Sequence, residues 1–280
     1  MIEIYTNPDN GNMWEEGDGG VDGNRESVRV AEKLLRELQE LGPKTRRHII
    51  LENFYLLATR VKDNINRAMI SFTEILEKDK DNLPAMLGVS TAYMIEKAPN
   101  KARNYLKRMA KMPYNQEYAE EFESAYLMLA DIYIGRGKFD LAQELCKKCL
   151  GYNKSCAGAW ELMGVIMEKE QSYKDAAECY EKSWDFEHQV REMVCCDRMH
   201  RSVDINVLLS PSLIGIDGSP WTIPPSQASA SVGFKLAFNY LKAKRFVEAI
   251  DISNKVLAQY PDYPKIRKEI LERAMEGLRP

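Results

Sequence analysis

The fold predicted by the sequence is an all-α solenoid built from helix-turn-helix repeats. Three observations carry it: a pattern of large and small residues returns at 34-residue steps, five units hold that pattern in order, and amphipathic helices stand at both ends. The composition permits such a fold, since 280 residues at 45% hydrophobic content can bury a core of ordinary size.

The clearest unit reads Trp160, Met163, Gly164, Met167, then Ala176 and Tyr180, which is the tetratricopeptide pattern W-x2-L-G-x2-Y followed by A-x3-F with conservative changes. A step back of 34 residues gives Tyr126, Leu129, Ala130, Tyr133, Ala142 and Cys146. Upstream, Met86, Val89, Ser90, Tyr93, Ala102 and Leu106 hold the same order, displaced by 40 residues because the turn around Pro113 to Tyr118 is longer. Before them Tyr55, Leu56, Thr59, Ala68 and Phe72 fit a further unit, and Ala68 to Ala102 is again 34. A fifth unit follows from Leu236, Ala237, Tyr240, Ala249 and Pro261. Small residues are required where helices A and B of a unit cross, and large ones fill the space between successive units.

The flanks follow from the same reasoning. Residues 1–26 are acidic and Gly-rich without an apolar period and are expected to be disordered. Residues 27–189 are expected to hold about four repeats with a leading amphipathic helix, Ser27 to Leu41, ending at Gly42-Pro43. From Ala176 to Ala249 is 73 residues, 39 more than one period, so 190–229, with Pro211, Pro220, Pro224 and Pro225, reads as an irregular Pro/Ser-rich insert. Its expected consequence is a fifth unit docked on the fourth with the insert looped out, because loop closure costs only about 0.6 kcal/mol per doubling of length. Residues 230–280 form the terminal repeat and a capping helix with Ile266, Ile270, Leu271 and Ala274 on one face.

Charge and motif content exclude several functions. With 39 Lys and Arg against 42 Asp and Glu there is no basic surplus for a phosphate backbone, so no nucleic acid partner is expected. No window approaches the roughly 20 apolar residues of a membrane span, and no membrane insertion is expected. The start of the chain lacks the basic and apolar run of a secretory leader, which points to a cytoplasmic protein. No GxSxG, HExxH or Walker-type loop is present, and none of the histidines at 48, 188 and 200 stands beside a nucleophile with an orienting acid, so no enzyme and no cofactor are expected. Cys146 and Cys149 have CxxC spacing but occupy inward positions of a helix B, where a thiol packs as a small hydrophobe. Cys195, Cys196 and His200, with Cys179 upstream, lack a second ligand pair, and no metal is expected.

A repeat array of this kind binds extended or helical segments along the concave face made by its A helices. The register places Leu87, Thr91, Met94, Leu127, Asp131, Ile134, Glu161, Val165, Glu168, Phe234, Phe238 and Leu241 on that face, which is mostly apolar. A co-chaperone clamp for an acidic peptide tail needs cations or amides there to pair carboxylates. Leu87, Leu127 and Glu161 stand where those would be, which disfavours that alternative.

The stretches ENFYLLAT from Glu52, MLADIYI from Met128, GAWELMGVIMEKEQSYKDAAECYEKSW from Gly158, VGFKLAFNYLKAKRFVEAID from Val232 and YPKIRKEIL from Tyr263 closely resemble the carboxy-terminal repeats of the tetratricopeptide repeat protein 21 family. That family supplies long repeat subunits of intraflagellar transport complex A. The resemblance implies a structural role in that complex, supporting retrograde transport and the localisation of membrane proteins to cilia, with other subunits as partners at the cilium and its base. It carries over no catalytic residue. Family members are far longer and pass almost directly from the penultimate unit to the last, so the resemblance implies a short isoform carrying an insert.

Overall fold

In the computed structural model of the chain, the structure describes residues 32, 33, 35, 36, 45–197 and 227–278, the last span without 262 and 264. All regular elements among them are helical. They are α1 (Arg46–Ala58), α2 (Lys62–Lys78), α3 (Leu83–Ile95), α4 (Pro99–Lys111), α5 (Ala119–Ile134), α6 (Phe139–Tyr152), α7 (Ala157–Lys169), α8 (Tyr173–Asp197), α9 (Gln227–Lys242), α10 (Phe246–Gln259) and α11 (Glu272–Gly277). This is the all-α tetratricopeptide-repeat solenoid that the register predicts. Of the leading helix, only residues 32, 33, 35 and 36 are described, all helical. The expectations for residues 1–26 and for most of the insert, residues 198–226, lie outside the described residues.

Two compact units divide the described residues, the first ending at Ile132 and the second beginning at Tyr133. In the first unit α1 pairs with α2, α2 packs on α3 and α3 pairs with α4. In the second, α6 packs on α7, α7 pairs with α8, α8 lies along α9, and α9 pairs with α10. A π-helical turn, Arg267–Leu271, and α11 close the array against α10 and bury Ile266, Ile270 and Ala274.

Local chemistry sets the helix starts. Thr45 caps α1 by accepting from the His48 amide (3.2 Å), and Asn82 caps α3 by accepting from the Ala85 amide (3.1 Å) with Pro84 in the first turn. The longer turn before the third repeat holds a 3₁₀ turn, Gln116–Tyr118, capped by the Asn115 side chain on the Glu117 amide (3.0 Å).

Helix A ends the same way in four repeats. The amides of Ala98, Lys138, Ser172 and Arg245 donate to the carbonyls of Tyr93, Tyr133, Met167 and Tyr240, at 2.8 Å for the first and 2.9 Å for the others. The preceding amides of Lys97, Gly137, Gln171 and Lys244 donate to Met94, Ile134, Glu168 and Leu241 at 2.9 to 3.1 Å. Together these are the paired bonds of the Schellman turn, which satisfies the last carbonyls of a helix and requires a left-handed residue. That residue has φ of 56° at Lys97, 69° at Gly137, 63° at Gln171 and 61° at Lys244. Only Gly137 adopts it without steric cost.

Between helices, rings press on small residues. A Cβ at Gly88 on α3 would stand 2.3 to 2.7 Å from the ring of Phe72 on α2, and one at Gly164 on α7 2.8 to 2.9 Å from Tyr180 on α8. In the fifth repeat the consensus Trp position is Gly233, and the hollow is filled from the neighbouring helix: Trp184 on α8 would be 2.4 Å from a Cβ there. The fourth and fifth repeats are therefore packed directly together, although 29 residues, 198–226, separate α8 from α9 in sequence. At the two ends of 190–229 the described residues are helical, since α8 continues to Asp197 and α9 begins at Gln227.

Cys146 and Cys149 are 1% and 2% exposed on α6, and burial, followed by the neighbouring Cys149, pushes the Cys146 thiol up to about 12. Cys195 and Cys196 fall within α8, and His200 lies outside the described residues.

The turns and the ring contacts generate two expectations. Lys97→Gly, Gln171→Gly and Lys244→Gly should each raise stability by about 0.5–1 kcal/mol, and Gly137→Ala should lower it by about 1 kcal/mol, read as shifts of the thermal midpoint. Trp184→Ala should cost about 3–5 kcal/mol by opening a cavity against Gly233 and Val256, read by denaturant unfolding.

Candidate protein-binding face

The residues expected on the concave face lie on α3, α5, α7 and α9, and their surroundings differ from helix to helix. In the first unit Leu87 is 0% and Thr91 3% exposed, and the Thr91 hydroxyl donates to the Leu87 carbonyl (2.9 Å). These two side chains face the interior rather than a partner. The reason is the composition of α3, LPAMLGVSTAYMI, which is apolar around its whole circumference and is buried continuously from Ala85 to Ala92. Absence of any charge between Leu83 and Ile95 is the sequence signal for it. Met94 at the end of α3, and Leu127 and Asp131 on α5, are half-buried.

In the second unit Ile134, Glu161, Val165, Glu168, Phe234, Phe238 and Leu241 are all half-buried. Val165, Phe234, Phe238 and Leu241 rest on the core formed by α8, α9 and α10. Phe234 meets the ring of Tyr263 at 6.0 Å, and the Lys242 ammonium lies 5.3 Å from the Phe238 ring. Each of these four apolar side chains stays partly exposed.

The two acids on α7 are engaged within the unit. Lys235 on α9 donates to Glu161 at 3.0 Å, with side-chain exposures of 27% and 15%. Glu168 accepts from the Tyr180 hydroxyl of α8 (3.1 Å) and from the Asn239 amide of α9 (3.2 Å), while the same Asn239 nitrogen also reaches the Lys235 carbonyl (2.8 Å). One carboxylate thus joins three helices of two consecutive repeats. Asn239 is 0% exposed, and its Oδ1 has no donor among the described residues. Lys235 and Asn239 are the members of this network that the register does not single out, and Tyr180 it places only as a core ring, because spacing along one chain does not show which donors cross a helix interface.

The phenols register the same burial. Tyr180 is held far above its ordinary range first by burial and then by the Glu168 carboxylate, and Tyr240 by burial and then by Glu181, to which it is hydrogen-bonded. Arg245, at the end of the turn, sits 4.5 Å from the Tyr240 ring.

This architecture can be set against known proteins. A family model described as the tetratricopeptide repeat protein 21 C-terminal ARM domain matches residues 30–196 and 219–275. The chain belongs to the tetratricopeptide repeat protein 21 family. Its similarity to tetratricopeptide repeat protein 21B of Homo sapiens is 44% identity over 295 aligned residues, to protein 21A of Mus musculus 44% over 293, and to the protein 21 homolog of Caenorhabditis elegans 30% over 289. Each alignment covers 100% of this chain and 19% of the relative, so the chain spans about a fifth of the length of these relatives. Among solved structures the fold is similar to the APC/C hetero-tetramer Cut9-Hcn1, with a TM-score of 0.58 and 15% identity over 91% of this chain and 41% of that one. It is also similar to pilF of Pseudomonas aeruginosa, with a TM-score of 0.52 and 13% identity over 90% and 98% of the two chains. This family and this fold are those of a protein-interaction scaffold. Among the described residues no helix is long and apolar enough to cross a membrane.

The raised groups fix a pH dependence. Unfolding returns Tyr180 and Tyr240 to the ordinary value of 10.0 and Cys146 to 9.0, so the unfolded chain loses these protons first. Their contribution to stability is complete below about pH 9 and is lost as the pH rises through the alkaline range. Thermal midpoints should therefore fall steadily above about pH 9. Tyr180→Phe should flatten that slope while costing about 1–2 kcal/mol at neutral pH, because the half-buried Glu168 loses a donor.

Proposed function

We propose that this chain works as a non-enzymatic scaffold within intraflagellar transport complex A, supporting retrograde ciliary transport and the localisation of proteins to cilia, in the cytoplasm and at the ciliary base. The observation that carries the reading is family membership across nearly all of the repeat array, residues 30–196 and 219–275. Other subunits of the complex are the partners, and neither nucleic acid nor membrane insertion is part of the reading.

In the first unit the side chains offered to a partner are Met94, Leu127 and Asp131, and in the second they are Ile134 with the apolar Val165, Phe234, Phe238 and Leu241. Partly exposed apolar side chains suit an amphipathic helix or an apolar extended segment of another subunit. The alternative, a co-chaperone groove for an acidic tail, is disfavoured because Lys235, the cation of α9 nearest to such a role, is committed to Glu161 at 3.0 Å.

Co-precipitation from ciliated cells decides between them. The chain should capture subunits of complex A at physiological salt, and Phe238→Ala should reduce the yield by about tenfold. An acidic heat-shock tail peptide bound tightly in a Lys235-dependent manner, with no complex A subunit recovered, would favour the co-chaperone. Hydrolase or transferase activity in the purified chain would overturn both.

A further inference from the structure

Helix α4, PNKARNYLKRMAK, differs in charge from every other helix B among the described residues. It carries Lys101, Arg103, Lys107, Arg108 and Lys111 and no acid. The equivalent helices mix signs: α2 has Asp63, Glu74 and Glu77 among its cations, α6 has Asp140 and Glu144, α8 has Asp175, Glu178 and Glu181, and α10 has Glu248 and Asp251. The repeats thus act as controls for one another, and a generic solvated face does not account for the contrast. Interaction with the helix dipole accounts for Arg108 and Lys111 in the last turn and leaves Lys101, Arg103 and Lys107 unexplained.

The apolar side of α4 is fully used, with Ala102, Leu106 and Met109 all 0% exposed in the first unit. Opposite it, Lys101, Asn104, Lys107, Arg108 and Lys111 are exposed and share one face at helical spacing. Local neutralisation is slight. Arg108 donates to Asp81 at 2.6 Å and Lys101 lies 5.4 Å from the Tyr93 ring, whereas Lys107 and Lys111 have no acidic partner among the described residues. The Nε of half-buried Arg103 also lacks an acceptor among them.

We propose that this face of α4 is a docking surface for an acidic segment of a protein partner. The reading does not depend on which complex the array serves. From Lys101 to Lys111 the cations run for about 15 Å at 1.5 Å per residue, a length covered by about five residues of extended chain. The regular rise of a rigid helix offers cations in a line, so a run of Asp and Glu can pair along it without ordering the scaffold. An anionic bilayer is the weaker fit, since a helix that lies in the membrane interface immerses its apolar face, and the apolar face of α4 is already consumed inside the repeat.

The test uses the 280-residue chain and a fluorescein-labelled hexaglutamate peptide followed by anisotropy. Binding should weaken by about tenfold between about 50 mM and about 300 mM salt. The triple variant Lys101→Gln, Lys107→Gln, Lys111→Gln should lose about tenfold in affinity at low salt, with the circular dichroism melt unchanged because all three side chains are exposed. A control triple on other helices, Lys147→Gln, Lys174→Gln, Lys255→Gln, should bind as the parent does. Absence of binding, equal losses in both triples, or an α4 triple that binds normally would overturn the proposal. So would α4-dependent co-sedimentation with phosphatidylserine vesicles in place of peptide binding. If the neutral triple melts early, Lys107→Glu alone provides the second reading, and retention of full affinity in that variant also overturns it.

Discussion

The array depends on one contact above the others: a ring from one helix seated where its neighbour has no side chain. At Gly88 and Phe72, at Gly164 and Tyr180, and at Gly233 and Trp184, a single added carbon would stand under 3 Å from the ring. Such contacts fix how closely two helices approach, and the separation then determines which polar atoms can meet. Glu168 on α7 accepts from the Tyr180 hydroxyl at 3.1 Å because the Tyr180 ring is seated against Gly164, one turn earlier in the same helix. Packing of the ring and placement of the hydroxyl are two ends of one constraint. A larger residue at 164 would displace the donor from the carboxylate as well as the ring from its seat.

Repeat proteins gain stability from nearest neighbours, so each interface must be complete in itself. In the second unit it is completed with charge as well as ring packing. Glu161 with Lys235, and Glu168 with Tyr180 and Asn239, tie α7 to α8 and α9. Carboxylates largely withdrawn from water are costly without partners and specific with them, because a shifted register would leave the charge unpaired. That specificity has a use where α8 and α9 are separated by residues 198–226. Sequence proximity gives those two helices little help in finding each other, and the Trp184 seat and the Glu168 bonds both admit one register.

The repeat period made much of this legible. Tyr93, Tyr133, Met167 and Tyr240 were placed by spacing alone, and they prove to be the residues whose carbonyls close the Schellman turns. What spacing could not reveal was exchange between helices. Position 233 breaks the pattern by carrying Gly where Trp160 stands one repeat earlier, and only the structure shows that Trp184 supplies the missing ring. The same limit applies to the face residues. Periodicity identifies the side of a helix but not how much of that side a neighbour covers, so Leu87 and Thr91 were assigned outward on a helix that is apolar all round. Glu161 and Glu168 were read as offered to a partner for a similar reason. One-dimensional spacing gives an acid's position but omits the donors that reach it from the next repeat.

Interior contacts and surface charge consequently answer to different constraints. Each repeat is held by its rings, small residues and turn bonds, and none of these involves the outer side of a helix B. That side can change from repeat to repeat without altering the interfaces, as the mixed charges of α2, α6, α8 and α10 illustrate. Where one such face departs from mixing, folding does not supply the reason: Ala102, Leu106 and Met109 would be buried as completely beneath a neutral surface as beneath a basic one. In this architecture the inward positions carry the packing and the outward positions carry the individuality of a repeat. The second unit directs the carboxylates of α7 inward to hold its helices together, and α4 directs its cations outward, where they are available for contact with another chain.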